Sequence, residues 1–349
     1  MKYVLPERYT IEEVDKAGEI LVGRMDCDEQ QRQEAVKIFS NWRASHAYPL
    51  NIIARNLQRV SKQIHSEAIG VQRLKREESI INKLRRFTRL PLSQIQDIGG
   101  CRIVMPNVSL ARQLSMEYVS RNKKHKRVKR LEKNYINEPK SDGYRSIHLV
   151  YKYSSVNKVG QVYNDRKIEI QIRSKLQHLW ATALETVDLF TTQQMKFGGG
   201  QDKWKYFFKL IGSAFAIIEE TPIVEGTPLD KTELYEEIKR MTMELKVIEK
   251  MTAWRASVDR LKAEKDSLFL LKLDTLKHQV TFQIFKSDNK GIESATVAYS
   301  LEEQQNRDNK HVDVVLIRAQ SISDLLYGYK NYFADTEDFI KQLQLLINS

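Results

Sequence analysis

Cysteine is nearly absent: Cys27 and Cys101 are the only two in 349 residues, and neither belongs to a C-x-x-C pair. A disulfide framework and a cysteine-built zinc site therefore find no support, and Cys101, in an apolar stretch, reads as a buried strand residue. Long apolar runs are missing as well. No uncharged stretch approaches the roughly 20 residues of a membrane helix, and the opening MKYVLPERYT lacks the apolar centre of a secretion signal. The chain is thus expected to act in the cytoplasm with no membrane partner. Internal repeats and low-complexity tracts are absent too.

Positive charge is abundant. The formal net charge is +12, and residues 121–133, RNKKHKRVKRLEK, concentrate eight Lys or Arg against one Glu. Such a block is either a solvated loop or a landing strip for a polyanion such as RNA, through Lys123, Lys124, Lys126 and Arg127.

Along the chain, residues 9–65 read as helical, with Thr10 as an N-cap before IEEVDKAGEILVGRM. Short apolar strands follow (CRIVM, the run ending SIHLVYKY, KIEIQI), so strands and helices interleave and an α/β or α+β domain is predicted. Two helices come next, LQHLWATALETVDLF and WKYFFKLIGSAFAIIEE, separated by Gly198–Gly200, which reads as a flexible joint or lid. PIVEGTPL, residues 222–229, is the best boundary. Beyond it, Leu234, Ile238, Met241, Leu245 and Ile248 outline an amphipathic helix able to dock on a partner. LFLLKL, QVTFQIF, ATVAYSL and HVDVVLI then read as strands, and two short helices close the chain. The domains predicted are 1–225, a connecting helix over 226–265, and a smaller α/β domain over 266–349.

Three clusters carry chemistry. In RLKREESIINKLRR, the residues Arg73, Lys75, Ser79, Lys83 and Arg86 are spaced so that a loop entering a helix aims them at one anionic group. Asp97 stands just before the strand that carries Arg102. Glu169 lies on a strand with Gln171 and Arg173 on the same side, because side chains repeat every two residues. Carboxylates on neighbouring strand edges are a common way to hold Mg²⁺ against a triphosphate, although each taken alone fits a cap or a solvent-facing residue equally well.

In this order, RLKREESIINK, DIGGCR, YINEPKSDGYRSIH and EIQIR resemble the motif series of the RelA/SpoT synthetase family, across residues 73–173. The resemblance implies a nucleotidyltransferase-like mixed sheet flanked by helices, hence an α+β fold class. It also implies transfer of the β,γ-pyrophosphate of ATP, with Mg²⁺ as cofactor, to the 3′-hydroxyl of an acceptor nucleotide. Carried over residue by residue, Arg73 would meet adenine, while Lys75, Ser79, Lys83, Arg86 and Arg102 would serve ATP. Asp97 would ligate the metal, and Glu169 would ligate it or activate the hydroxyl. Lys140, Tyr144, His148, Gln171 and Arg173 would form the acceptor side, Tyr144 stacking on the base. Asp142 stands where many members have Asn. None of the seven histidines is followed by Asp, so the family's hydrolase motif is missing.

The long C-terminal extension with Tyr329-Lys330-Asn331-Tyr332 resembles the fused toxin-antitoxin branch of toxic small alarmone synthetases, of the CapRel type, which implies a pseudo-zinc-finger-like second domain. Tyr329 and Tyr332 would then inhibit by entering the ATP pocket, with a phage protein as the releasing trigger. The acceptor would be the 3′-terminal adenosine of tRNA. Free GDP or GTP, giving (p)ppGpp, is the second acceptor expectation, ADP or ATP, giving (p)ppApp, the third, and a catalytically inactive RNA- or nucleotide-binding module the non-enzymatic one.

Overall fold

The computed structural model describes residues 3–191, 200–261, 267–274, 276–277, 279–306, 309, 311–318, 326 and 332–349. Gly198, Gly199 and Tyr329, to which roles were assigned above, lie outside them. The chain divides into two compact units, residues 1–135 with 146–175, and residues 136–145 with 176–349. These two units meet at Lys175 and Leu176 along the chain.

The first unit opens with α1 (Ile11–Leu21), α2 (Glu29–Ala44) and α3 (Ala47–Ile64). Thr10 caps α1 as its sequence suggests: its side chain accepts from the Glu13 backbone N–H, and the Glu13 carboxylate returns the bond. Asp28 does the same for α2 with Gln31. A mixed sheet follows, built from β1 (Ile69–Leu74), β2 (Gly99–Met105), β3 (Lys126–Arg127), β4 (Lys133–Asn134), β5 (Ile147–Lys152) and β6 (Lys167–Ser174) in the order β1-β2-β6-β5-β3, with β4 also on β5. The β2–β6 pair is parallel and the others are antiparallel. Helices α4 (Glu77–Arg86), α5 (Val108–Arg121) and the single turn α6 (Lys158–Gln161) fill the connections.

Register sorts the sheet into two faces. Cys101, Ile103, Ile168, Ile170, Ile172, Ile147, Leu149 and Tyr151 alternate onto one face and are buried. A Cβ on Gly99 would sit 3.5 Å from the Cβ atoms of His46 and Leu50, so this apolar face packs against α3. The opposite face receives Arg73, Gly100, Arg102, His148, Glu169, Gln171 and Arg173. One face therefore makes the core and the other is left for chemistry.

His46, at the start of α3, is fully buried, and its Nδ1 donates to the Trp42 carbonyl at 2.8 Å. Burial, reinforced by the nearby Arg166 guanidinium, pushes its pKa down to about 3. The unfolded chain takes up a proton near pH 6.5 and the folded chain does not, so stability is full above pH 6.5 and drains as pH falls toward 3, by about 1.4 kcal/mol per pH unit inside that window. In an NMR titration, the His46 ring resonances are expected to stay unshifted from pH 7 to 5. An ordinary titration near 6.5 would overturn this.

The second unit contains α7 (Lys175–Thr191), α8 (Gly200–Ile218), α9 (Lys231–Leu245), α10 (Val247–Leu261), β7 (Ser267–Asp274), β8 (Gln279–Lys286), α11 (Asn289–Gln305), β9 (Val312–Arg318) and α12 (Tyr332–Ile347). Its three strands form an antiparallel sheet in the order β8-β7-β9. The core is aromatic: Phe190 stacks on Trp254 at 5.1 Å, with Trp204, Phe207, Phe208, Phe215 and Phe339 around them.

Two expectations are corrected in this unit. ATVAYSL is not a strand but lies within α11, because Asp288 caps the helix on the Gly291 N–H and Ala295 and Tyr299, four apart, share the face buried with Leu268, Leu270, Val314 and Leu316. The apolar stripe of α9 is not free for a partner, since Leu234, Ile238, Met241 and Leu245 are spent on the unit's own core. Of the two closing helices expected, the last is α12, a helix of 16 residues, and the stretch before it falls almost wholly outside the described residues. No helix among the described residues is long and apolar enough to cross a membrane.

Candidate active site

Asp97 sits two residues before β2, and its carboxylate is gripped from two directions. Lys75, just past β1, places Nζ 2.6 Å from Oδ2, and Lys83, on α4, places Nζ 2.8 Å from Oδ1. Lys75 is itself fixed by its backbone: its N–H donates to the Ile98 carbonyl at 2.7 Å, and its carbonyl accepts from Arg43 Nε at 2.7 Å. Burial would raise the Asp97 carboxyl, but the two ammonium groups outweigh it and hold the group below the usual carboxylate range.

Glu169 occupies the polar face of β6, opposite Gly100. A Cβ on Gly100 would meet nothing within 4 Å, so the neighbouring strand leaves open space beside the Glu169 carboxylate. The ring of His148 approaches through Nδ1 at 3.2 Å from Oε1, and Gln171 Nε2 donates to Oε2 at 2.8 Å. Burial pushes this carboxyl up, His148 pulls it down, and the charge of Asp97 pushes it up again; the balance is a lowered pKa. Arg173 extends the row by donating to Gln171 Oε1 at 3.0 Å.

Of the remaining ATP candidates, Arg73 is exposed on β1 opposite Gly100, Arg102 lies opposite Gln171, and Ser79 is exposed in the first turn of α4. Ser79, Lys83 and Arg86 recur at four and three residues and share one side of α4. The Arg86 guanidinium lies 5.3 Å from the centre of the Phe87 ring.

The acceptor-side candidates divide between the units. His148, Gln171 and Arg173 belong to the first, Lys140 and Tyr144 to the second. Tyr144 is half-buried, with the Lys140 ammonium 4.7 Å from its ring centre and Trp180 meeting it edge-on at 6.2 Å. Its N–H donates to Asp142 Oδ1 at 2.9 Å. Asp142, the departure noted in the motif, thus closes a local turn, a task the Oδ1 of Asn performs equally well.

In the basic block, Lys123, Lys124 and Lys126 are exposed, but Arg127 is tied to Glu132 at 2.5 and 2.6 Å. Arg127, assigned to RNA above, already has a carboxylate partner. Tyr332, assigned to inhibition, is 1% exposed inside the second unit's own core beside Phe333. Sequence reasoning missed Tyr135, whose ring meets His148 edge-on at 5.2 Å; its place at the head of YINEPK was the available signal. Among the described residues no cluster of three or more His, Cys, Asp or Glu could cage a metal. Two carboxylates nevertheless fit Mg²⁺, which usually takes one or two from the protein and completes its shell with water and substrate phosphates.

The mixed sheet thus carries Glu169 and basic side chains on one face, with Asp97 and its two lysine partners just before β2. Comparison with known proteins gives a partial likeness: residues 72–188 match the region found in RelA / SpoT proteins. Two Bacillus subtilis (strain 168) proteins are similar to it. GTP pyrophosphokinase YwaC is 36% identical over 118 residues, covering 32% of this chain and 52% of that protein, and GTP pyrophosphokinase YjbM is 37% identical over 113 residues, covering 32% and 51%. The chain spans about half the length of these curated relatives. Among solved structures, small alarmone synthetase 1 from Bacillus subtilis bound to its product pppGpp aligns with a TM-score of 0.43 at 23% identity, over 55% of this chain and 94% of that one. Small alarmone synthetase 2 from the same organism gives 0.44 at 23%, over 52% and 94%.

Proposed function

We propose that the chain transfers the β,γ-pyrophosphoryl group of ATP to a ribose 3′-hydroxyl. The observation that carries this reading is Asp97, gripped by Lys75 and Lys83 just before β2, with Glu169 near the start of the adjoining β6 on the face that also bears Arg73. The acceptor 3′-oxygen attacks the β-phosphorus, the bond from that phosphorus to the α,β-bridging oxygen breaks, AMP leaves, and the hydroxyl proton passes to the Glu169 carboxylate or to solvent water. Lys75, Lys83 and Ser79 hold the phosphates, and Arg73 lies against the adenine. Asp97 and Glu169 would hold Mg²⁺, which would supply charge neutralisation to the transferring group. Tyr144 stacks on the acceptor base, a contact worth roughly 1–3 kcal/mol.

For the acceptor, the exposed Lys123, Lys124 and Lys126 support the 3′-terminal adenosine of tRNA. Similarity to two GTP pyrophosphokinases favours GDP or GTP as the second reading. Cis-inhibition by the C-terminal segment, with a phage protein as trigger, is supported by the family resemblance alone. The deciding experiment offers γ-labelled ATP with GDP, GTP, ADP or deacylated tRNA. If tRNA is the acceptor, reversing Lys123, Lys124 and Lys126 to Glu is expected to cut tRNA labelling and flatten its salt dependence by up to about 0.9 log units per lost phosphate contact. Label on GDP or GTP alone, unchanged by the reversal, selects the guanosine reading.

A further inference from the structure

The lysines assigned to ATP do not wait in open solvent. Each oxygen of Asp97 has its own ammonium partner, at 2.6 and 2.8 Å, and these partners come from separate segments, the loop after β1 and the last turn of α4. The oxygens of Glu169 are engaged as well, by His148 and Gln171. The formal charges of Asp97, Glu169, Lys75 and Lys83 cancel. A divalent cation arriving alone would find no net negative charge and would have to displace two ammonium groups that have nowhere better to go. Like charges held within ~4–6 Å repel strongly where solvent is limited, and the Asp97 side chain is only 21% exposed.

ATP changes this balance. Its phosphates are better partners for Lys75 and Lys83 than one carboxylate, and once the lysines turn to them both Asp97 oxygens are freed at the moment the metal arrives. We propose that Lys75 and Lys83 occupy the metal's place on Asp97 in the nucleotide-free protein, so that metal and ATP bind cooperatively and the metal alone binds weakly. This deepens the proposed function and rests on its assignment of Asp97 and Glu169 as metal ligands. The coupling is reciprocal: metal must tighten ATP binding by the factor by which ATP tightens metal binding.

The test uses Mn²⁺ on the full chain, with free Mn²⁺ followed by electron paramagnetic resonance, so that no turnover is read. Wild type is expected to bind Mn²⁺ at least about tenfold more tightly with a non-hydrolysable ATP analogue than without it, after correction for Mn²⁺ held by the analogue itself. Without nucleotide, Lys75→Gln and Lys83→Gln, each of which leaves Asp97 one ion pair to support the fold, are each expected to bind Mn²⁺ more tightly than wild type, and the double variant at least about tenfold more tightly. Adding Asp97→Asn should erase that gain. The proposal is overturned if the lysine variants, folded by circular dichroism, bind Mn²⁺ no better than wild type, or if the gain survives loss of Asp97. Failure of pyrophosphate transfer would instead count against the proposed function, because these titrations need no acceptor and no chemistry.

Discussion

Glu169→Gln is expected to lower pyrophosphate transfer by roughly 10²–10³-fold, the range seen when one preorganised electrostatic group is removed from a transition state, with ATP binding changed only a few-fold. The substitution keeps the shape of the side chain and removes its charge, so the loss falls on the chemical step. Asp97→Asn is expected to match it in rate and to differ in stability. Asn leaves the half-buried ammonium groups of Lys75 and Lys83 without their counter-charge, at a cost of about 1–3 kcal/mol in the ligand-free protein. Because the folded protein holds the Asp97 carboxyl below its unfolded value, the wild-type advantage is full above the ordinary carboxylate range and shrinks as pH falls through the lowered one. Thermal unfolding of both proteins at neutral pH and near pH 4 measures that gap. Equal transfer rates in wild type and Glu169→Gln would remove the carboxylate from the chemistry.

Gly212→Ala is expected to destabilise the second unit by about 1–3 kcal/mol, although helix propensity alone favours Ala over Gly by about 1 kcal/mol. Gly212 lies inside α8, and a Cβ there would come within 2.8 Å of the Gly143 Cα and 2.9 Å of its carbonyl oxygen. Gly143 in turn has φ +97°, a left-handed conformation open mainly to glycine, and a Cβ on it would strike the Phe208 carbonyl oxygen at 2.9 Å. The loop that carries Tyr144 is therefore seated glycine against glycine on the helix, beside Trp180, whose Nε1 donates to that same Phe208 carbonyl at 2.8 Å. The clash is between backbones and has no flexible side chain to absorb it, so it outweighs propensity. A lowered melting temperature together with slower transfer to the acceptor is expected. A variant more stable than wild type would show that the helix absorbs the methyl group.

The pattern of what could be read from sequence has a physical basis. Strand alternation is local, so Glu169, Gln171 and Arg173 on one side of β6 and the buried Cys101 on β2 could be inferred from period two alone. The capping box at Thr10 and Glu13 is equally local. ATVAYSL misled because its β-branched and aromatic residues mimic a strand, whereas the decisive signals, the Asp288 cap and the four-residue spacing of Ala295 and Tyr299, take effect only when a sheet lies beside that face. The α9 stripe announced burial without naming its partner, and Tyr332 joined the same core. At the site, spacing grouped Lys75 and Lys83 but could not say that both would meet Asp97, since that depends on how β1, α4 and the loop before β2 converge.

Pyrophosphate transfer is tested most directly by following both ends of ATP in one reaction. The protein is incubated with Mg²⁺ and each acceptor, using ATP labelled at the γ-phosphate in one tube and at the α-phosphate in the other. Transfer predicts that γ label appears in the acceptor in step with an equal amount of α-labelled AMP, and that both vanish with EDTA or in Glu169→Gln. Labelled ADP with free phosphate, or AMP released with no label in any acceptor, would contradict it.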